Sequence, residues 1–255
     1  MTAISRFYLA VMFCLALLIT PVGLRAQIGS LSNPAQAAQA RSQEEFDAYL
    51  EIVSATDARV VVEKVKAFSS AFPKSELLGA AFQSQLQAFE RLDDFDAMLA
   101  AGEKALASDP DSVNTLLALA PSMAARAAGR PDRTQLLAQA ESYAHRALAE
   151  IDKIRVPHDL SMEQWDLRKR QMQSEAHGVL GVVALQRAQS QQAISELDMA
   201  ISLAPKPEGV QFLRLGLALA SAGKKNDAEQ KFRRAAELGP EAVRNAATDQ
   251  LKKLN

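Results

Sequence analysis

The residues that most often carry out catalysis are few and scattered in this sequence. Its three histidines, His145, His158 and His177, belong to no His-Glu-x-x-His pattern and have no cysteine pair near them. There is one cysteine, Cys14, and there is no glycine-rich phosphate loop and no Gly-x-Ser-x-Gly pattern. The sequence therefore predicts no catalytic residue, no cofactor and no metal site, and we expect a protein that is not an enzyme.

One acidic cluster is compatible with a cation site. Asp93, Asp94 and Asp96 lie within four residues of one another. Carboxylates are the usual ligands of Ca²⁺, which needs six to eight oxygen atoms, and this stretch does not show so many. The alternative is a turn between two helices, where acidic residues cap the second helix. The sequence favours the turn.

The composition indicates an all-α protein that does not bind nucleic acid. Hydrophobic residues form 48% of the chain but aromatic residues only 5%, and alanine supplies much of the difference. Alanine has the highest helix propensity and lets helices approach closely. The formal net charge is −1, and no basic stripe of the kind that contacts phosphates is present.

The N-terminus resembles an export signal. Residues 1–26 contain Arg6, then an uncharged apolar run, then a small residue at Ala26. Residues 27–41 are polar and are expected to form a flexible leader. The prediction is an exported protein, periplasmic or extracellular; a membrane anchor formed by residues 7–24 is the alternative.

Two stretches near the C-terminus repeat one pattern at a spacing of 35 residues. The first contains Leu180, Gly181, Ala193, Leu197, Ala200 and Pro205, and the second contains Leu215, Gly216, Ala228, Phe232, Ala235 and Pro240. A fixed period in the thirties is typical of stacked helical hairpins. Glycine in a helix costs about 1 kcal/mol relative to alanine. Its recurrence at one register indicates that a neighbouring helix needs the space.

Weaker copies of the pattern extend toward the N-terminus. Five helical pairs are predicted, near residues 42–75, 79–112, 113–152, 174–207 and 209–242. Residues 153–173 extend the first helix of the fourth pair, with Trp165 as a structural anchor. Residues 243–255 are expected to form a helix that caps the last apolar surface.

These residues resemble the tetratricopeptide repeat, a helix–turn–helix unit of 34 residues with Leu-Gly in its first helix and two small residues, an aromatic residue and a closing proline in its second. The resemblance is most specific for the last two units. It implies a right-handed solenoid with a concave surface lined by the first helix of each pair. It also implies that the protein binds a protein or peptide partner there.

By this resemblance, eight residues are candidates for the groove. They are Gln83, Gln87, Glu90 and Arg91 in the second unit, Val182 and Leu185 in the fourth, and Leu213 and Leu217 in the fifth. The N-terminal half would be polar and the C-terminal half apolar. Two interpretations remain open for the apolar half: it takes a peptide, or it is covered by the chain itself or by a second copy.

The sequence thus predicts an exported module that binds a partner on the concave face of a repeat array. The alternative is a self-associating subunit of a cell-envelope assembly, with a homo-oligomer as its consequence. Contact with a membrane is expected only through the N-terminal segment.

Overall fold

The computed structural model describes residues 38–157 and 160–254. This part of the chain forms eleven α-helices and contains no strand. The helices are α1 (Gln43–Ser54), α2 (Ala58–Ala71), α3 (Leu78–Arg91), α4 (Phe95–Ser108), α5 (Val113–Arg126), α6 (Arg133–Ile151), α7 (Met162–Gln186), α8 (Ser190–Leu203), α9 (Gly209–Ser221), α10 (Lys225–Leu238) and α11 (Glu241–Leu254). The predicted all-α solenoid of paired helices is confirmed.

Consecutive helices pack as hairpins that stack on one another. The pairs are α1–α2, α3–α4, α5–α6, α7–α8 and α9–α10. First helices of neighbouring pairs also touch, because α5 contacts α7 and α7 contacts α9. The last helix, α11, packs on α10 and α9. Each pair thus buries the apolar face of its neighbour, which is how a helical array builds a continuous core.

The first described residues are held against the start of the array. The hydroxyl of Ser42 accepts a hydrogen bond from the backbone N–H of Glu45 at 3.1 Å and so caps α1. The carboxylate of Glu45 accepts from the N–H of Arg41 at 2.6 Å. The N–H of Gln39 donates to Glu76 at 3.3 Å. Residues 38–41 of the predicted leader therefore contact the first unit, whereas the predicted signal (1–26) and residues 27–37 lie outside the described residues.

Three of the turns within pairs have the same geometry. The second residue past the end of the first helix has positive φ, at Asp93 (59°), Ala188 (58°) and Gly223 (76°). In each, the next N–H bonds back to a carbonyl five residues earlier, as in the link from Gln189 to Ala184 at 2.9 Å. This bond closes a Schellman motif, which satisfies carbonyl groups at a helix end.

The glycines at the repeated register make room for a neighbouring helix, as the sequence predicts. A Cβ atom on Gly181 would lie 2.5 Å from Cγ of Leu197 on α8. A different register is involved in the second unit, where a Cβ atom on Gly102 in the second helix would lie 2.5 Å from Leu119. Gly102 stands where the repeat pattern prefers an aromatic residue, so Leu119 of the next pair supplies the missing apolar volume.

The long helix α7 begins with a complete capping box. The hydroxyl of Ser161 accepts from the N–H of Gln164 at 3.2 Å, and the side chain of Gln164 accepts from the N–H of Ser161 at 2.8 Å. One turn later, Trp165 is buried among apolar residues of the central core, beside α6. Trp165 therefore anchors the helical extension, as the sequence predicts.

The apolar face of α1 differs from the one that the sequence indicates. Helical spacing predicts that Phe46, Tyr49, Leu50 and Val53 form one face, but Tyr49 and Ile52 are buried while Leu50 and Val53 are 42% and 50% exposed. In the described part of the chain α1 packs only against α2 and α3. Leu50 and Val53 thus have no helix to cover them. Among residues 38–157 and 160–254, no helix combines the length and apolar character that crossing a membrane requires.

Candidate functional site

The acidic cluster considered as a cation site forms structural contacts instead. Asp94 caps α4 by accepting from the N–H of Ala97 at 3.1 Å. Asp96 pairs with Arg130 at 3.1 Å, and Asp93 pairs with Arg126. Within the described ranges, no group of three His, Cys, Asp or Glu side chains could hold a metal ion. The cluster therefore joins the second and third units.

The histidines likewise form no site together. Nδ1 of His177 lies 2.7 Å from a carboxylate oxygen of Glu196, which links α7 to α8. His145 is exposed on α6, and His158 lies outside the described residues. His177 therefore serves to join the two helices of the fourth pair.

A concave surface with a mainly apolar lining runs along three first helices. This surface, here called the C-terminal groove, is a cavity of about 550 Å³ lined by α5, α7, α8 and the start of α9. Its apolar residues are Pro121, Ala124, Ala125, Gly178, Val179, Val182, Leu197, Ala200, Ala204, Pro205 and Val210, and its polar residues are Gln171, Ser174, Glu175, Lys206, Glu208, Gln211 and Arg214. Binding pockets typically have a volume of about 300–1,000 Å³ and a mainly apolar lining with a few polar groups, so this cavity has the size of one.

A hydrogen-bond network that runs from a buried to an exposed bond forms one wall of the C-terminal groove. The hydroxyl of Ser174 donates to the carbonyl of Ala200 at 2.7 Å and accepts from Nε2 of Gln211 at 3.3 Å. The side-chain oxygen of Gln211 accepts from the N–H of Glu208 at 2.9 Å. These bonds join α7, α8 and the start of α9, so the wall has a fixed geometry before any ligand binds.

Two of the four charged side chains that line the C-terminal groove, Arg214 and Glu175, come from different helices. Arg214 of α9 is partly buried, and this loss of hydration lowers its pKa. Glu175 of α7 keeps contact with solvent, but the groove walls reduce its hydration and raise its pKa; the like charge of Glu90 raises it further, and Arg168 lowers it. A charge that loses hydration is stabilised by an opposite charge, so both groups favour a polar or charged ligand.

A second cavity, here called the N-terminal groove, lies between the first two units. It has a volume of about 620 Å³ and contains the predicted residues Gln87, Glu90 and Arg91. A guanidinium N–H of Arg91 donates to the carbonyl of Thr56 at 3.2 Å. Its other lining residues are Ile52, Val53, Ala55, Val61, Ser84 and Ala118. The N-terminal groove thus combines apolar residues of the first unit with polar residues of α3.

The structure separates the remaining candidates. Val182 lines the C-terminal groove, but Leu185, Leu213 and Leu217 are half-buried and pack against the core of the last two units. Gln83 is half-buried on α3 and lines neither groove. Of the two interpretations for the apolar half, the structure thus favours internal packing for these three leucines.

Sequence reasoning missed the groove residues that lie outside the repeat positions. The wall from α5 contains Pro121, where the repeat pattern is interrupted. Gln171 belongs to the helical extension, which has no counterpart in the repeat. Arg214 lies four residues after Val210, so the two share one face of α9. This spacing was the available signal for Arg214.

Comparison with known proteins gives a result at the level of fold. No family model matches the chain, and no curated protein matches it. The chain is similar to TTC0263, a thermophilic TPR protein of Thermus thermophilus, with a TM-score of 0.51, 16% identity and coverage of 82% of this chain and 98% of that one. It is also similar to Acl4, an assembly chaperone of RpL4, with a TM-score of 0.61, 15% identity and 84% of each chain covered. The resemblance read from the repeated residues is confirmed in the fold: the chain is a solenoid of the tetratricopeptide type.

Proposed function

We propose that this protein is an exported, non-enzymatic interaction module that captures a segment of a partner protein on its concave side. The observation that carries the proposal is the C-terminal groove, which three successive first helices form and which is open to solvent beside Gly178. Nothing within 4 Å would meet a Cβ atom there, so no other side chain closes the groove at that point.

A polypeptide segment fits this surface better than a small molecule does. Ala118 of α5 lines the N-terminal groove, and Pro121, about one turn further on the same helix, lines the C-terminal groove. The two grooves therefore adjoin along the concave side. An elongated surface with apolar and polar stretches suits a chain that places alternate side chains in successive pockets.

Blocking the groove tests this proposal. Gly178→Trp adds a large side chain in open space on α7 and should abolish capture of a partner in affinity purification with the full chain. The matched control is Ala138→Trp at an exposed position of α6 outside both grooves, which should capture as the unmodified protein does. Circular dichroism should show equal helicity in all three proteins. Equal capture by the Gly178→Trp variant would contradict the proposal.

Export is proposed from residues 1–26. The measurement is cell fractionation with mass spectrometry of the mature N-terminus. A cleaved signal gives a protein that begins at or after Gln27 and leaves with the soluble envelope fraction. An anchor formed by residues 7–24 gives an intact N-terminus in the membrane fraction, which would contradict cleaved export.

Self-association is the second candidate function, and the exposure of Leu50 and Val53 favours it. Neighbouring exposed apolar side chains mark interaction surfaces more often than isolated ones do. Light scattering of the full chain over a range of concentrations measures it. Leu50→Glu should leave a monomer if α1 is the contact, and a monomer without any substitution would contradict this candidate.

A further inference from the structure

We propose that the C-terminal groove recognises an internal aspartate or glutamate of the bound segment, which pairs with Arg214 while flanking apolar residues contact the groove walls. This inference rests on the proposed function and adds the chemistry of the partner. The recognised group is a side-chain carboxylate within the segment and not the carboxylate of its C-terminus.

Arg214 differs from the other arginines in combining partial burial with the lack of an acceptor. Most of the described arginines that are partly buried form a hydrogen bond or an ion pair. Arg187 pairs with Glu141 at 2.7 Å, and Arg130 pairs with Asp132 at 2.9 Å. Of the described arginines without an acceptor, only Arg214 is half-buried rather than exposed. Reduced hydration on burial lowers the pKa of Arg214.

A guanidinium in this state favours a planar anionic partner. Its N–H groups match the two oxygens of a carboxylate, and such charge-assisted pairs are about twice as strong as neutral hydrogen bonds. A partner carboxylate would restore the interactions that Arg214 loses on partial burial. Lys206 also lines the groove and adds a second positive charge.

The neighbours of Arg214 define the rest of the ligand. Val210 lies one turn before it on α9, and Val179 and Val182 line the opposite wall on α7. Apolar side chains of the segment would bury surface against these valines. Glu175 on α7 and Glu208 at the start of α9 repel an acidic side chain, so the carboxylate is placed at Arg214, away from both.

The position along the groove indicates an internal residue. The C-terminal groove is open to solvent beside Gly178, so a bound segment has room to continue past Arg214. A C-terminal carboxylate would instead require the segment to end at Arg214. Comparing peptides with a free and an amidated C-terminus distinguishes binding through a side-chain carboxylate from binding through the C-terminal carboxylate.

The test is selection of a random twelve-residue peptide library against the full-length protein. We expect enrichment of peptides with Asp or Glu between apolar residues. Arg214→Gln should weaken their binding about tenfold to a hundredfold, as expected for loss of a charge-assisted hydrogen bond. Arg214→Lys should recover part of the affinity, and amidation of the C-terminus should change nothing.

The matched control is Arg244→Gln, which removes the same charge from an exposed arginine on α11 that has no ion pair. It should bind the selected peptides as the unmodified protein does. Equal helicity of the two variants shows that the fold is kept. If the Arg214→Gln variant does not fold, two other binding measurements test the inference. One uses the Arg214→Lys variant, which keeps the charge, and the other uses competition by peptides in which Glu is changed to Gln.

The outcomes distinguish this inference from the proposed function. Peptides without acidic residues that bind equally to Arg214→Gln, yet fail to bind Gly178→Trp, overturn the inference alone. Loss of binding on amidation would assign the carboxylate to a C-terminus and also overturn it. No enriched peptide, or equal binding to Gly178→Trp, overturns both.

Discussion

Phe232 of α10 occupies the space that any side chain at Gly216 of α9 would need. A Cβ atom on Gly216 would lie 2.6 Å from both Cδ1 and Cε1 of the Phe232 ring, which is fully buried. The glycine and the aromatic residue are therefore one packing unit, 16 residues apart in the sequence. Contact between the two helices at this point sets how closely the last hairpin closes.

Gly216→Ala should destabilise the protein by about 1–2 kcal/mol. Forcing a methyl group into a packed core costs about 1–3 kcal/mol, and the better helix propensity of alanine offsets up to about 1 kcal/mol. Urea unfolding followed by circular dichroism measures the change. The matched control is Gly178→Ala, where the space is open. That variant should be more stable than the unmodified protein by up to about 1 kcal/mol. A loss of stability would contradict the open space around Gly178.

Ala188→Gly should stabilise the fourth hairpin. Ala188 has φ of 58°, a left-handed conformation that costs a non-glycine residue about 1–2 kcal/mol. Glycine removes this cost but gives the unfolded chain about 0.4–1 kcal/mol of extra entropy. The expected net gain is about 0.5–1 kcal/mol in thermal or urea unfolding. Gly223→Ala, at the equivalent turn of the fifth hairpin, should lower the free energy of unfolding by about the same amount. If both substitutions change the stability in the same direction, the explanation by positive φ is contradicted.

The repeated residues predict this fold because they lie at the contacts between neighbouring helices. Gly181 and Gly216 recur at one spacing since the same close approach recurs, and that constraint is local to each hairpin. The face of α1 is not fixed in this way. Leu50 and Val53 follow the apolar period of a helix, yet burial depends on whether another helix lies against them, which a period cannot report.

The site was less predictable than the fold for a related reason. Of the positions taken from the repeat, Val182 lines the C-terminal groove and Glu90 lines the N-terminal groove. They placed Leu213 and Leu217 in the groove as well, but both pack against the core of the last two units. Arg214 lies one turn after Val210 on the same face of α9, but the repeat does not assign its position to the groove. The packing of α11 is a tertiary property that sequence spacing does not contain.

Trp165→Ala should destabilise the protein by about 3–5 kcal/mol, the usual cost of removing a buried tryptophan. Trp165 is 6% exposed and joins the extension of α7 to α6. It is also the only tryptophan, so its fluorescence reports the environment of this extension. In the unmodified protein the emission should shift to longer wavelength in step with the loss of helicity on adding urea. A fluorescence transition at much lower urea would show instead that the extension unfolds independently.

Glu175→Gln should stabilise the protein at neutral pH and leave it unchanged in acid. Reduced hydration and the charge of Glu90 raise the pKa of Glu175 above its ordinary value of 4.5, against the weaker effect of Arg168. The folded state then binds the proton more tightly than the unfolded state does. Stability therefore falls as the pH rises from about 4.5 through the raised pKa. Glutamine has no such proton, so the advantage of the variant should grow over that window and then stay constant, at less than about 1 kcal/mol because the carboxyl group keeps contact with water.

The control for this pH dependence is Glu51→Gln, for which the sign is opposite. A hydrogen bond from Lys64, 2.7 Å away, lowers the pKa of Glu51. Its carboxylate stabilises the folded state above the ordinary pKa, and that contribution disappears as the pH falls through the lowered value. The Glu51→Gln variant should thus be less stable than the unmodified protein at neutral pH and equal to it in strong acid. Urea unfolding at several pH values between 3 and 8 measures the stability of both variants. If the two substitutions change the stability at neutral pH in the same direction, reduced hydration in the C-terminal groove does not set the pKa of Glu175.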